Sequence, residues 1–280
     1  MSGAGDIGLY LAGRISAEVA LARLLLGGAS PDEIAQALAS DQSSRGRALL
    51  RVVETRRETL RELRAIFGGV EHEAASVARI GRMFDRAVAA SPEASVAAYS
   101  LGDPAILAAA TEEIVTWLEA ARLIGPASDV LDVGCGIGRV AVALAGRVRA
   151  ILGLDVSRAM IDEARRRRTA ANATFATTSG ADLAGVPSNA FDLILAVDSF
   201  PYLMQAGPML AERHVADAAR ILRPGGALAI LNLSYRGDPA ADVADAARWA
   251  ATHGFVATVL GDGPFKLWDG RAFVLRRPDP

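Results

Sequence analysis

The sequence predicts an α/β protein: a mostly parallel sheet preceded by an all-helical region. Three observations carry this. Residues 1–93 show only helical periodicity. From about 128 onward, short apolar runs alternate with amphipathic stretches, the pattern of strands joined by crossover helices. The last two apolar runs are separated by the short segment "DGPFKLWDG", too brief for a helical crossover, so they should pair antiparallel.

In the first region Ile15, Val19, Leu21, Leu24 and Leu25 recur at near-helical spacing, and Gly27-Gly28 ends the run. Ser30-Pro31-Asp32-Glu33 is a helix start, with Ser30 as N-cap, Pro31 at the first position and Glu33 closing a capping box. One further helix is expected over 44–67, with Leu49, Val53, Leu60, Leu63 and Phe67 on its apolar stripe, stopped by Gly68-Gly69. Another follows over about 71–90. Residues 91–105, with Pro92, Gly102 and Pro104, read as a linker. A helix over 104–122 leads into Gly125-Pro126. Thereafter the pattern gives strands at 129–133, 150–155, 173–178, 191–197, 227–233, 255–260 and 271–277. Helices are expected at 138–147, 158–169, 209–222 and 240–252. Two domains are expected, 1–93 as a helical cap or dimerisation element and 94–280 as the sheet domain.

Composition narrows the function classes. The chain has 280 residues, 51% hydrophobic and 22% charged, with a formal charge of −2. That balance suits a globular protein and gives no basic surface for nucleic acid. A helix-turn-helix reading of the Gly27–Ser30 junction fails on the same ground, because "PDEIAQALAS" is acidic. Lys266 is the only lysine among many arginines, which reads as the coding bias of a GC-rich bacterial genome. The single cysteine, Cys135, excludes an internal disulfide and a cysteine-based zinc cluster and fits a reducing cytoplasm. No metal site is expected. No run approaches the length of a membrane span, and "MSGAGDIGLY" lacks the features of a signal peptide, so a cytoplasmic protein without a membrane partner is expected.

The chemistry concentrates around "VLDVGCGIGR", residues 130–139. Glycines stand at 134, 136 and 138, and Arg139 occupies the place of the third glycine of a dinucleotide fingerprint. That departure speaks against a nicotinamide oxidoreductase. Asp132 precedes the turn, near the carboxyl end of the first strand, where a carboxylate can hold an ammonium group or merely stabilise the turn. Asp155 ends the second strand, where a carboxylate can accept two ribose hydroxyls. Ser157 follows as a helix N-cap.

The ordered stretches "LDVGCGIGR", "GLDVSRAMIDEAR", "SGADL", "FDLILAVDSFPYL" and "ARILRPGGALAIL" together resemble the class I S-adenosylmethionine-dependent methyltransferases, through about 128–234. The resemblance implies a Rossmann-like seven-stranded sheet with an antiparallel last strand. It implies that Asp132 and the turn Gly134, Cys135, Gly136 and Gly138 hold the methionine end of the cofactor. It implies that Asp155 binds the ribose, that Val156 and Met160 lie against the adenine, and that Asp182 receives the adenine amino group beside Leu183. Asp198 and Ser199 would face cofactor and substrate. S-adenosylmethionine carries a sulfonium and no phosphate, which agrees with carboxylates and with the absence of a lysine from any glycine loop.

On the substrate side Asp198, Tyr202 and His214 are the catalytic candidates, with His214 read as opening its helix. Tyr99 is read as a lid over the cofactor. His72 and His253 are assigned to helix surfaces without a chemical role. The "LRPGG" turn at 222–226 is given a structural role only. Asp198-Ser-Phe-Pro-Tyr202 departs from the Asp/Asn-Pro-Pro-Tyr motif of methyltransferases acting on nucleobase or amide nitrogens, which favours a small-molecule acceptor. The alternative is a non-catalytic S-adenosylmethionine sensor or interaction protein. A homodimer through the N-terminal helices is the expected assembly.

Overall fold

The computed structural model describes residues 3–67 and 76–279. Its contacts divide the chain into two compact units. One is Met1–His72, Arg86–Ala110 and Phe265–Asp269; the other is Glu73–Asp85, Thr111–Pro264 and Gly270–Pro280. The two units interleave along the chain: residues 76–85 group with the sheet, and 86–110 with the helices.

The helical unit contains α1 (Gly3–Leu11), α2 (Ala17–Leu26), α3 (Pro31–Leu38), α4 (Ser44–Thr55) and α5 (Arg57–Phe67). The Ser30 capping box forms as read: the Ser30 side chain accepts from the Glu33 backbone, and Glu33 reaches back to the Ser30 N–H. The single helix expected over 44–67 is two. Thr55 Oγ1 donates to the carbonyls of Arg51 and Val52, and Arg56 leaves helical geometry at φ −111° and ψ 20°. A threonine hydroxyl bonded back into its own turn competes with helix propagation. Leu21, Leu25, Ile34, Leu38, Leu49 and Leu60 make the unit's core. Gly68, Gly69 and His72 lie outside the described residues.

Next come α6 (Val77–Ala90), α7 (Pro92–Val96), a 3₁₀ turn (Ala98–Ser100) and α8 (Pro104–Ala120). The expected linker at 91–105 is thus largely helical. Ser91 caps α7 through the Ala94 N–H, with Pro92 at its first position.

The second unit continues with β1 (Asp129–Val133), α9 (Arg139–Leu144), β2 (Ala150–Asp155), α10 (Arg158–Arg167), β3 (Ala173–Thr177) and β4 (Phe191–Val197). Then follow α11 (Phe200–Ala206), α12 (Pro208–Ile221), β5 (Leu222–Leu231), α13 (Pro239–His253), β6 (Val256–Asp262) and β7 (Ala272–Arg276). The strands form one sheet in the order β3-β2-β1-β4-β5-β7-β6. The first five run parallel, and β7 is antiparallel to both β5 and β6. The central strands are near-continuous apolar runs because helices cover both faces; Leu131, Ile194, Ile230, Phe273 and Trp249 sit in this core. The order reverses between β1 and β4, which opens a crevice outside the carboxyl ends of those strands.

"LRPGG" stops a helix and starts a strand, as its pattern suggests: β5 begins at Leu222, earlier than the expected 227 and straight after α12, with a register irregularity against β4 at Phe191/Leu193. Arg223 ties this end of the sheet to Asp192 and Asp129.

A candidate cofactor and acceptor site at the carboxyl edge of the sheet

The glycine turn is a sequence of left-handed steps, with φ +75° at Gly134, +53° at Gly136 and +74° at Gly138. Such alternation aims successive N–H groups outward and needs residues without a Cβ. The N–H groups of Gly134 and Cys135 both donate to Leu154 O, at 2.7 and 3.0 Å, which pins the turn to the end of β2. A Cβ on Gly134 would lie 2.3 Å from the Cβ of Ser199. The turn therefore sits directly against the residue after β4. The Cys135 thiol packs towards Gly153 on β2, and burial pushes that thiol well up.

Two carboxylates flank the turn. Asp155 is 7% exposed. Its Oδ2 accepts from Gly136 N–H at 2.9 Å and its Oδ1 from Ser157 N–H at 2.8 Å. Burial raises its pKa, opposed by these backbone donors. Asp132 is 2% exposed, and its Oδ2 has no hydrogen-bond partner among the described residues. Burial pushes it up to about 7, against the pull of Arg139 and with the help of Asp155. A turn-stabilising aspartate would have its oxygens satisfied. A buried carboxylate oxygen left without a donor is costly in isolation and is what a cationic ligand would satisfy.

The loops after β2 and β3 meet here. Val156 Cγ1 lies 2.5 Å from the position of a Cβ on Gly180, and Val77 Cγ1 lies 2.7 Å from it on the other side. Met160 is buried one turn into α10, whose N-cap is Ser157. Asp182 is half-buried, and its Oδ1 accepts from Ala184 N–H at 3.2 Å. Leu183 is buried, and its N–H donates to Asp217 at 2.8 Å.

Three residues of α6 enter this site without a signal in the sequence. Gly81 packs against Val156, and Val77 lies against Gly180. Asp85 accepts from Ser157 Oγ at 2.6 Å and from Ala159 N–H at 3.2 Å, a second cap on α10. Only amphipathic periodicity marked α6, and periodicity does not say which surface a helix covers.

At the end of β4, Asp198 takes φ +55°, and Ser199 Oγ donates to Val133 O at 2.6 Å. Tyr202 lies in the first turn of α11, with its ring edge-on to Phe84 at 4.9 Å and to Tyr235 at 5.9 Å between centroids. Burial and the nearby Asp198 push the Tyr202 hydroxyl well above its ordinary value, so it stays protonated at neutral pH.

Two candidates lie elsewhere. His214 does not open its helix; it is in the middle of α12, 3% exposed, with Nδ1 2.9 Å from Leu210 O. Burial holds its pKa below 6.5, and the charged groups acting on it are Asp217, Asp182 and Arg213 rather than Asp198. Tyr99 is buried in the helical unit, its ring tilted on Trp268 at 6.1 Å. His253 closes α13 near Glu212, and His72 lies outside the described residues.

An open sheet in this order, ending in an antiparallel β7, with a left-handed glycine turn between two buried carboxylates, defines the Rossmann-like class I methyltransferase fold. A family model described as a methyltransferase domain matches residues 130–226. Over that stretch the chain is similar to the class I S-adenosylmethionine-dependent methyltransferases, whose cofactor is S-adenosylmethionine.

An uncharacterised Mycobacterium tuberculosis protein is 29% identical over 200 residues, 64% of this chain and 69% of its own length. The methyltransferase GfsG of Streptomyces halstedii is 35% identical over 135 residues, 47% of each chain. Among solved structures, phosphoethanolamine N-methyltransferase 1 of Haemonchus contortus aligns with a TM-score of 0.56 at 14% identity, over 73% of this chain and 49% of that one. The [4+2]-cyclase SpnF aligns at 0.51 and 18% identity, over 74% and 98%. At such identities the structural likeness concerns the fold alone.

Proposed function

We propose that the protein transfers the methyl group of S-adenosylmethionine to a small-molecule acceptor. The observation that carries this is the buried, unpartnered Oδ2 of Asp132 beside the glycine turn. The donor set fits the cofactor: Asp132 for the ammonium group, the turn backbone for the methionine end, and Asp155 for the ribose hydroxyls. Val156, Met160, Asp182 and Leu183 are assigned to the adenine. The cofactor supplies an activated methyl group, so this chain's residues bind, orient and exclude water. Orientation of two reactants can contribute about 7–11 kcal/mol to lowering a barrier. Asp198 and Tyr202 stand at the acceptor end, with Ser199 linking them to the turn. His214, buried and bonded within its own helix, is not assigned as the base.

The test uses S-adenosylmethionine carrying a labelled methyl group, incubated with the protein and the small-molecule fraction of a bacterial extract. Label appearing in a low-mass product supports the reading. Cofactor binding without any labelled product, over repeated extracts, would favour a cofactor-sensing protein instead.

A further inference from the structure

Beyond the ends of β4 and β5, two non-glycine residues in register both take left-handed backbone: Asp198 at φ +55° and Asn232 at φ +69°. The Asp198 N–H still donates to Leu231 O at 2.9 Å, so the two strand ends are locked together as they turn. Asn232 is anchored on its other side. Its N–H donates to Arg271 O at 2.8 Å, and its Oδ1 accepts from Arg271 N–H at 2.9 Å. Fixed in this way, Asn232 Nδ2 donates to Asp198 Oδ1 at 2.8 Å. The Tyr235 hydroxyl donates to the same oxygen, also at 2.8 Å. Uncommon backbone held by surrounding bonds is characteristic of functional sites.

We infer that Asn232 and Tyr235 are positioning residues that hold the Asp198 carboxylate as a fixed anion at the acceptor end, and that the acceptor atom is an amine nitrogen. The inference rests on the methyltransferase reading above. Two donors on one carboxylate oxygen favour the charged form and use lone pairs that a proton would otherwise take. Such a group is suited to facing a positive charge and ill suited to removing a proton. A hydroxyl acceptor must lose its proton, and Tyr202, held protonated, is no base for it. An amine that arrives protonated gives up that proton to water far more readily than an alcohol does, and the neutral amine then needs no base in the transfer step. The nitrogen lone pair forms the N–C bond, the C–S bond breaks with its pair going to sulfur, and the positive charge passes from sulfur to nitrogen. Asp198, next to the Ser199 that packs on the glycine turn, would face that charge. The rings of Phe84, Tyr202 and Tyr235, edge to face in series, add faces that attract a cation.

The test is calorimetric, on the protein saturated with S-adenosylhomocysteine. The probes are 2-phenylethylamine, protonated at neutral pH, and its neutral isostere 2-phenylethanol. The amine is expected to bind about tenfold more tightly or better, as for hydrogen bonds to charged groups. Asp198→Asn should remove the preference. Tyr235→Phe and Asn232→Gly, the latter keeping the left-handed backbone, should each reduce it by about threefold. Equal affinities for the two probes, no binding of the amine, or a preference that survives Asp198→Asn overturns the inference. S-adenosylhomocysteine binding is measured first on each variant. Failure of the wild type at that step overturns the methyltransferase reading itself, and so is distinguishable from failure of the amine assignment.

Discussion

The two halves of the sheet's carboxyl edge are built differently. The half at β1 and β2 is built around backbone: a glycine turn, Asp155 held by the N–H groups of Gly136 and Ser157, the buried Asp132 before the turn, and a capped helix. The half at β4 and β5 is made of side chains, with Asp198, Asn232, Tyr202 and Tyr235 drawn together from 34 or more residues apart in two of their contacts. The difference follows from what each half must recognise. A cofactor common to a family can be held by backbone geometry that few sequences satisfy. An acceptor particular to one protein is held by side chains that can vary on an unchanged frame. Ser199 joins the halves, packed against Gly134 and bonded to Val133 O.

The comparison can be broken at its seam. Gly134→Ala adds a methyl at φ +75° that overlaps Ser199. Left-handed strain and overpacking together amount to about 3 kcal/mol, so cofactor affinity should fall roughly 100-fold, read by titration calorimetry. Asp155→Ala removes a charged acceptor from the proposed ribose site and should weaken binding by about 10- to 100-fold. In the same series Tyr202→Phe, in the other half, should leave cofactor affinity within about twofold, since deleting a hydroxyl there removes no contact with the turn. A large loss would mean that the halves are not separable.

Asp132 gives a pH signature. Its folded-state pKa is raised from the ordinary carboxylate value to about 7, so the native protein without cofactor binds the proton more readily than the unfolded chain. Its contribution to stability therefore declines as pH rises from about 4 to 7 and levels off above. Binding of an ammonium group needs the anion, so affinity for S-adenosylmethionine should rise with pH, by up to about tenfold per unit below 7, and flatten above. Asp132→Asn should flatten both profiles, and persistence of the affinity slope in that variant would contradict the assignment. The smallest effect is on the frame. Ser157→Ala removes the N-cap of α10, for about 1 kcal/mol, and should lower the melting temperature by about 2–4 °C.

Much of the first half was legible in the chain. β1, β2 and β4 lie where the apolar runs placed them, and the glycine spacing announced the turn. The reason is locality: each feature depends on residues within one strand-turn-helix unit. What was not legible depends on distant partners or on competition within a turn. Nothing near Asn232 indicates that it will leave β5 in left-handed geometry, because Arg271, across the sheet, sets that geometry. Asp85 reads as one more charge on an amphipathic helix until Ser157 is found beside it. The break at Arg56 turns on a Thr55 hydroxyl that periodicity ignores. His214, read as opening its helix, lies mid-way along α12 on the face that packs into the core, and the sequence pattern does not say which face that is.

The central claim is that the β1–β2 edge seats S-adenosylmethionine through Asp132, the glycine turn and Asp155. Calorimetric titration of the wild type and of Asp155→Ala with S-adenosylmethionine at pH 8 tests it most directly. The account predicts saturable one-site binding by the wild type, weakened at least about tenfold in the variant. Absence of binding by the wild type, or equal affinity in the two proteins, would contradict it.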